Sequence, residues 1–271
     1  MTPQAEAGLR FGFGRNWRHY LSTLDADRIA EAEGSLLEAL GGRDLAGSSV
    51  LDIGSGSGLF SLAALRLGAA RVQAFDYDSD SVAATAEVKR RFAPETGSWR
   101  IEQGSVLDRD YLRSLGTFDL VYAWGVLHHT GDQWRALANA ADAVAEGGRL
   151  YVALYNDQGR ISRYWSVVKR AYNSGAPLRW TVIVVHAPYL LGLRFLARAL
   201  TGRLRLERGM SLWHDMHDWL GGYPFEVATP AAVEGFLEAR GFTLTWSRLV
   251  GRRHGANQYV FQRRRAAMGG A

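Results

Sequence analysis

Residues 50–60 read Val50-Leu51-Asp52-Ile53-Gly54-Ser55-Gly56-Ser57-Gly58-Leu59-Phe60. An apolar strand runs into an acid and then a glycine-rich turn. Glycines at alternate positions let the backbone bend sharply and let a ligand approach it closely. Asp52 puts negative charge where a dinucleotide pyrophosphate would be repelled and a cationic ligand would be held.

That charge narrows the ligand. A nicotinamide site wants G-x-G-x-x-G, with pyrophosphate on a helix N-terminus. Counted from Gly54 the third glycine falls on Leu59, and counted from Gly56 it falls on Ser61. No Gly-Lys-Ser/Thr follows, which excludes a P-loop. S-adenosyl-L-methionine fits, because it carries an ammonium and a sulfonium but no phosphate. A second apolar strand, Arg71 to Asp76, also ends in an acid, 18 residues after Gly58. The spacing suits a strand–helix–strand unit whose acid accepts both ribose hydroxyls, since a carboxylate has two oxygens. Tyr77 follows it. Asp78 and Asp80 read as solvated or helix-capping residues.

The run Val50–Phe60, then Phe75-Asp76, then Gly104–Asp108, then Phe118–Thr130 resembles class I S-adenosylmethionine-dependent methyltransferases, nearest to a small-molecule, quinone-biosynthesis-like branch. The resemblance spans roughly residues 47–155, with a fainter echo at 228–262. It implies a Rossmann-like α/β fold: a mostly parallel seven-stranded sheet, helices on both faces and a helical insertion after strand 5. It also implies that Asp52, Gly54, Ser55, Gly56, Gly58, Asp76, Tyr77, Ser105, Val106 and Trp124 bind the methyl donor. Ser105 and Val106 would flank the adenine, and Ser105 stands where many members carry Asp. Trp124-Gly125 replaces the Asn/Asp-Pro-Pro-aromatic signature of enzymes acting on exocyclic base nitrogens, which argues against adenine-N6 methylation of DNA or RNA; no DNA partner is expected.

The chain alternates strands near 49–53, 71–76, 99–103, 118–123 and 148–154 with helices near 58–67, 79–91, 109–115 and 133–145. The last helix is expected to stop at Glu146-Gly147-Gly148. Such alternation predicts a parallel sheet with ligands at the carboxyl ends of its strands. Four segments are expected: a helical arm over 1–46, the cofactor-binding core over 47–155, an insertion over 156–222 and closing elements over 223–271. Ile29, Ala32, Leu36, Leu37 and Leu40 recur at helical spacing in the arm. Thr229-Pro230 reads as an N-cap followed by proline at the first helical position. Strands near 243–249 and 257–262 are expected to form an antiparallel closing pair.

A chain of 271 residues, 47% hydrophobic, can bury a large core. It has no cysteine, so disulfides and thiolate zinc sites are excluded. Met1-Thr-Pro-Gln-Ala-Glu lacks a basic or apolar leader, which makes cytoplasmic the default location. Net charge of +5 admits RNA or an anionic surface as partner, although no appended RNA-binding motif is present. The insertion interleaves Leu190, Leu191, Leu193, Leu196, Leu200 and Leu204 with Arg194, Arg198, Arg203, Arg205 and Arg208. Two readings suit it: an apolar lid with its arginines in solvent, or a basic amphipathic stretch lying on a membrane surface. It carries too much charge to span a bilayer.

Methyl transfer is an in-line displacement in which positioning does most of the work. A hydroxyl nucleophile must also lose a proton, and histidine is the natural base. His128 and His129 follow the fourth strand and are the expected catalytic pair, with one of them facing the pocket. His214 and His217 in the insertion compete for that role or for contact with a small-molecule acceptor. No spacing supplies them with a third metal ligand, so no metal is expected. Trp17, Tyr20, Tyr155 and Tyr223 are the remaining candidates for lining an acceptor pocket. The oligomeric state has no signature in the sequence.

Overall fold

The computed structural model describes residues 21, 24–193, 212–251 and 255–265, with backbone only at 193, 212–215 and 218. Trp17 and Tyr20 lie outside the described residues, as do Arg194, Leu196, Arg198, Leu200, Arg203, Leu204, Arg205 and Arg208. The side chains of Leu193 and His214 also lie outside them.

Helix α1 (Ala26–Ala39) starts where the Asp25 carboxylate accepts from the Arg28 amide at 3.0 Å. It buries Ile29, Ala32 and Leu36, the apolar stripe read from spacing. Strand β1 (Ser49–Ile53), helix α2 (Leu59–Arg66), strand β2 (Arg71–Asp76) and helix α3 (Ser79–Phe92) follow. Asp78 caps α3 by accepting from the Asp80 amide at 2.9 Å. Next come β3 (Trp99–Gln103), α4 (Arg109–Leu115), β4 (Phe118–Trp124), a 3₁₀ turn over Leu127–His129, α5 (Gln133–Asp142) and β5 (Val144–Tyr155). Helices α6 (Arg160–Asn173), α7 (Ala176–Ala187) and α8 (Leu212–Gly221) fill the stretch after β5. Helix α9 (Pro230–Glu238), capped by Thr229, leads to β6 (Phe242–Arg248) and β7 (Ala256–Arg263).

The seven strands form one sheet in the order β3-β2-β1-β4-β5-β7-β6. The first five strands run parallel, and β7 runs antiparallel to β5 and β6. Alternation along β1 splits the core between the two faces. Leu51 and Ile53 join the cluster that includes Leu137, Val233 and Phe261. Val50 joins the opposite cluster with Ile29, Leu62 and Val88. Strand order reverses at β1, which puts a crevice at the carboxyl ends of β1 and β4.

One expectation is corrected. Helix α5 ends at Asp142, and Glu146-Gly147-Gly148 is not a helix stop but part of β5. Phe118 pairs with Val144 and Leu120 with Arg149, so residues 145–148 bulge opposite Asp119. Gly147 supplies the positive φ of 74° that the bulge requires. The same glycines that signal a helix end also serve a bulge, and only the partner strand distinguishes the two.

Candidate active site

The turn after β1 is built by contacts that exclude larger residues. Gly54, Gly56 and Gly58 have φ of 71°, 56° and 79°. A Cβ on Gly54 would lie 2.4 Å from Val126, and one on Gly58 would lie 2.8 Å from Thr85. The Gly54 amide donates to the Phe75 carbonyl at 2.8 Å, which ties the turn to β2. Ser55 and Thr85 share a hydroxyl hydrogen bond of 2.9 Å.

Two carboxylates flank this turn. Asp52 is 3% exposed and accepts from the Ser61 hydroxyl at 2.6 Å. Asp76 accepts from the Gly56 amide at 3.0 Å through one oxygen and from the Asp78 amide at 2.9 Å through the other. Burial is the main cause that pushes Asp52 up to about 7, and the negative field of Asp76 adds to it. Burial likewise pushes Asp76 up to about 6, against the lowering effect of its amide donors. Among the described residues no basic side chain neutralises either carboxylate. A buried acid pair with no cation beside it among the described residues suits a ligand that brings an ammonium and hydroxyl donors. Each oxygen of Asp76 keeps a second lone pair for such donors. The chemistry of S-adenosylmethionine fits these residues.

Beyond β3, the Ser105 hydroxyl accepts from the Leu107 amide at 3.2 Å and so turns the chain. Val106 is buried, and its carbonyl is held by the Asn139 amide group at 2.8 Å. Tyr77 is exposed and Trp124 half-buried at their strand ends.

The second half of the site gathers around the 3₁₀ turn after β4. His128 is 1% exposed, and neither ring nitrogen makes a hydrogen bond of normal geometry. Burial first, then the charges of His129 and Lys169, hold His128 well below the usual imidazole range; the Ala153 carbonyl gives the opposing influence. Nδ1 of His129 lies 2.7 Å from the Pro224 carbonyl. A carbonyl only accepts, so Nδ1 carries a proton in this contact. The Tyr155 ring, at the end of β5, lies 3.9 Å from the His128 ring and 5.5 Å from the His129 ring.

Helices α6 and α8 cover this end. Lys169 is fully buried, donates to the Trp219 carbonyl and lies 4.3 Å from the Trp219 ring centroid and 4.8 Å from that of Phe225. A small open cleft lies here, lined by Tyr155, Asn156, Ser162, Trp165, Trp219 and Phe225 among others.

The tertiary structure thus brings His128, His129 and Tyr155 together. It does not bring His217 to them. That ring pairs with the Tyr172 hydroxyl at 2.6 Å, between α8 and α6. Tyr223 is buried, one residue before the Pro224 carbonyl that holds His129. Motif reading missed Ser61, Thr85, Asn139 and Lys169. Lys169 left a trace in the sequence, since only Lys89 and Lys169 are lysine among 32 basic residues.

A switch-point crevice with acids on two adjacent strand tips is the architecture of class I methyltransferases. The family model described as a methyltransferase domain matches residues 24–245, so the chain belongs to that family. Ribosomal protein L11 methyltransferase of Xanthomonas campestris is 53% identical over 60 residues, 22% of this chain and 20% of that protein. Ubiquinone biosynthesis O-methyltransferase of Rhizobium rhizogenes is 33% identical over 114 residues, 42% of this chain and 44% of that protein. The chain therefore spans less than half the length of these curated relatives. Magnesium protoporphyrin IX methyltransferase from Synechocystis, solved with bound SAH, superposes with a TM-score of 0.52 at 15% identity, over 87% of this chain and 83% of that one. The N-methyltransferase NodS from Bradyrhizobium japonicum gives 0.51 at 14% identity, over 89% and 98%. At such identities the two structures share the fold.

Proposed function

We propose that this chain O-methylates a small, partly apolar acceptor with an ionisable hydroxyl, and that His129 removes its proton. The observation that carries this is the cluster of His128, His129, Tyr155 and Lys169 under the aromatic helices α6 and α8. Bound S-adenosylmethionine supplies an electrophilic methyl on a sulfonium. Asp52 and the Gly54–Gly58 turn would hold its amino-acid end, Asp76 and Tyr77 the ribose, and Ser105 and Val106 the adenine, with Trp124 as a further donor contact.

His129 suits the base because the Pro224 carbonyl accepts from its Nδ1 and so orients the ring beside His128 and Tyr155. His128 suits a different task. Protonating it would bury a charge beside the Lys169 ammonium, so it stays neutral near pH 7. The Lys169 charge also favours the anion formed as the acceptor's hydroxyl is deprotonated. The aromatic walls exclude water and suit an apolar acceptor. The ubiquinone O-methyltransferase of Rhizobium rhizogenes supports an oxygen acceptor.

The test incubates the protein with methyl-labelled donor and a panel of phenols, enols and amines, and identifies products by mass spectrometry. O-methyl products that disappear in His129→Gln support the reading. Turnover only on amines, or only on RNA or a ribosomal protein, refutes it.

A further inference from the structure

We propose that the outer face of helices α6 and α7 docks on an anionic phospholipid surface, and that this face stands whether or not the acceptor reading holds. Eight of the eleven large hydrophobic side chains exposed among the described residues fall between Ile161 and Tyr189. Val167 is 69% exposed, Val184 68%, Val185 63% and Trp180 61%. Soluble surfaces scatter such residues singly, whereas a gathered patch marks an interface. The two helices meet where the Tyr164 hydroxyl reaches His186 at 2.6 Å, so their exposed rows adjoin.

Charge selects the occupant. From Gln158 to Leu206 the sequence holds no Asp or Glu. Arg160 and Arg163 are exposed on α6 and Arg179 on α7, interleaved with Ile161, Tyr164, Leu178 and Trp180. An apolar face edged by arginine, with Trp and Tyr among its members, has the composition that settles at a headgroup boundary. A second copy of the chain would set these arginines against themselves. No helix among the described residues is long and apolar enough to cross a membrane. Helix α6 has two sides with separate duties. Trp165 lines the pocket and Lys169 packs against Trp219 and Phe225, while Ile161, Tyr164 and Val167 face outward.

The experiment sediments the full chain with vesicles of phosphatidylcholine, with and without phosphatidylglycerol. We expect binding to the anionic vesicles that weakens as salt is raised. Arg160→Gln with Arg163→Gln should weaken it about thirtyfold, the change that corresponds to about 1 kcal/mol per lost charge near the surface. Val184→Asp and Trp180→Ala should weaken it as well. Unchanged affinity for S-adenosylhomocysteine shows that each variant is folded. Equal binding to both vesicle types, no binding to either, or indifference to these substitutions overturns the proposal. So does a dimer that Val184→Asp dissociates, or salt-sensitive RNA binding through the same arginines without vesicle binding.

Discussion

Affinity for the methyl donor should rise steeply with pH below neutrality. The perturbation is pH itself, acting on Asp52 at about 7 and Asp76 at about 6. Both values lie above the ordinary carboxylate value of 3.8, so the ligand-free fold holds protons that the unfolded chain has released. Between roughly pH 4 and pH 7 these two acids make folding less favourable as pH rises. Ligand binding runs the other way, because an ammonium and ribose hydroxyls select the ionised acids. If only ionised Asp52 binds, lowering pH from 7.5 to 5 weakens affinity close to hundredfold; with Asp76 included the loss approaches thousandfold. Calorimetry with S-adenosylhomocysteine measures this directly. Titration in two buffers of different ionisation enthalpy should show about half a proton released by Asp52 at pH 7, where it is half ionised. Asp52→Asn should remove the upper part of the pH dependence and leave the limb near 6. An affinity that is flat over this range, or that rises towards acid, refutes the assignment of a cationic ligand to this acid pair.

Three further outcomes follow from named contacts. Gly54→Ala should lower stability by about 1–3 kcal/mol, because it forces a side chain onto φ of 71° and drives a Cβ to 2.4 Å from Val126; thermal unfolding and loss of S-adenosylhomocysteine binding measure it. Lys169→Met keeps the volume but removes a charge that holds His128 low, so the His128 imidazole titration, followed by NMR, should move up in pH. Ring signals that do not move would separate Lys169 from the histidine. His129→Gln should cut kcat by about 10²–10⁴-fold while S-adenosylhomocysteine affinity stays within about twofold, the pattern of a lost general base.

Much of the fold was legible because its signals are local. Alternating apolar strands and glycine stops predicted the parallel core, and the Asp78 and Thr229 caps sit where side-chain chemistry puts them. The placing of the residues proposed to hold the donor was legible for the same reason. Asp52 and Gly54–Gly58 lie in one turn, and Asp76 ends the adjacent strand. The glycines at 147 and 148 misled because a helix end and a strand bulge ask the same backbone freedom of glycine.

By itself, the order of residues determined a doubly wound sheet with two carboxylates at adjacent strand tips, since both depend on neighbours in sequence and on the reversal of strand order at β1. Tertiary structure decided the rest. His128, Tyr155, Lys169 and Trp219 come from the ends of β4 and β5 and from two helices of the insertion. Whether an imidazole stays neutral or an acid keeps its proton depends on burial and on charges that are distant along the chain. Which side of α6 meets the pocket and which meets the outside was likewise fixed only when β5 and α8 closed against it.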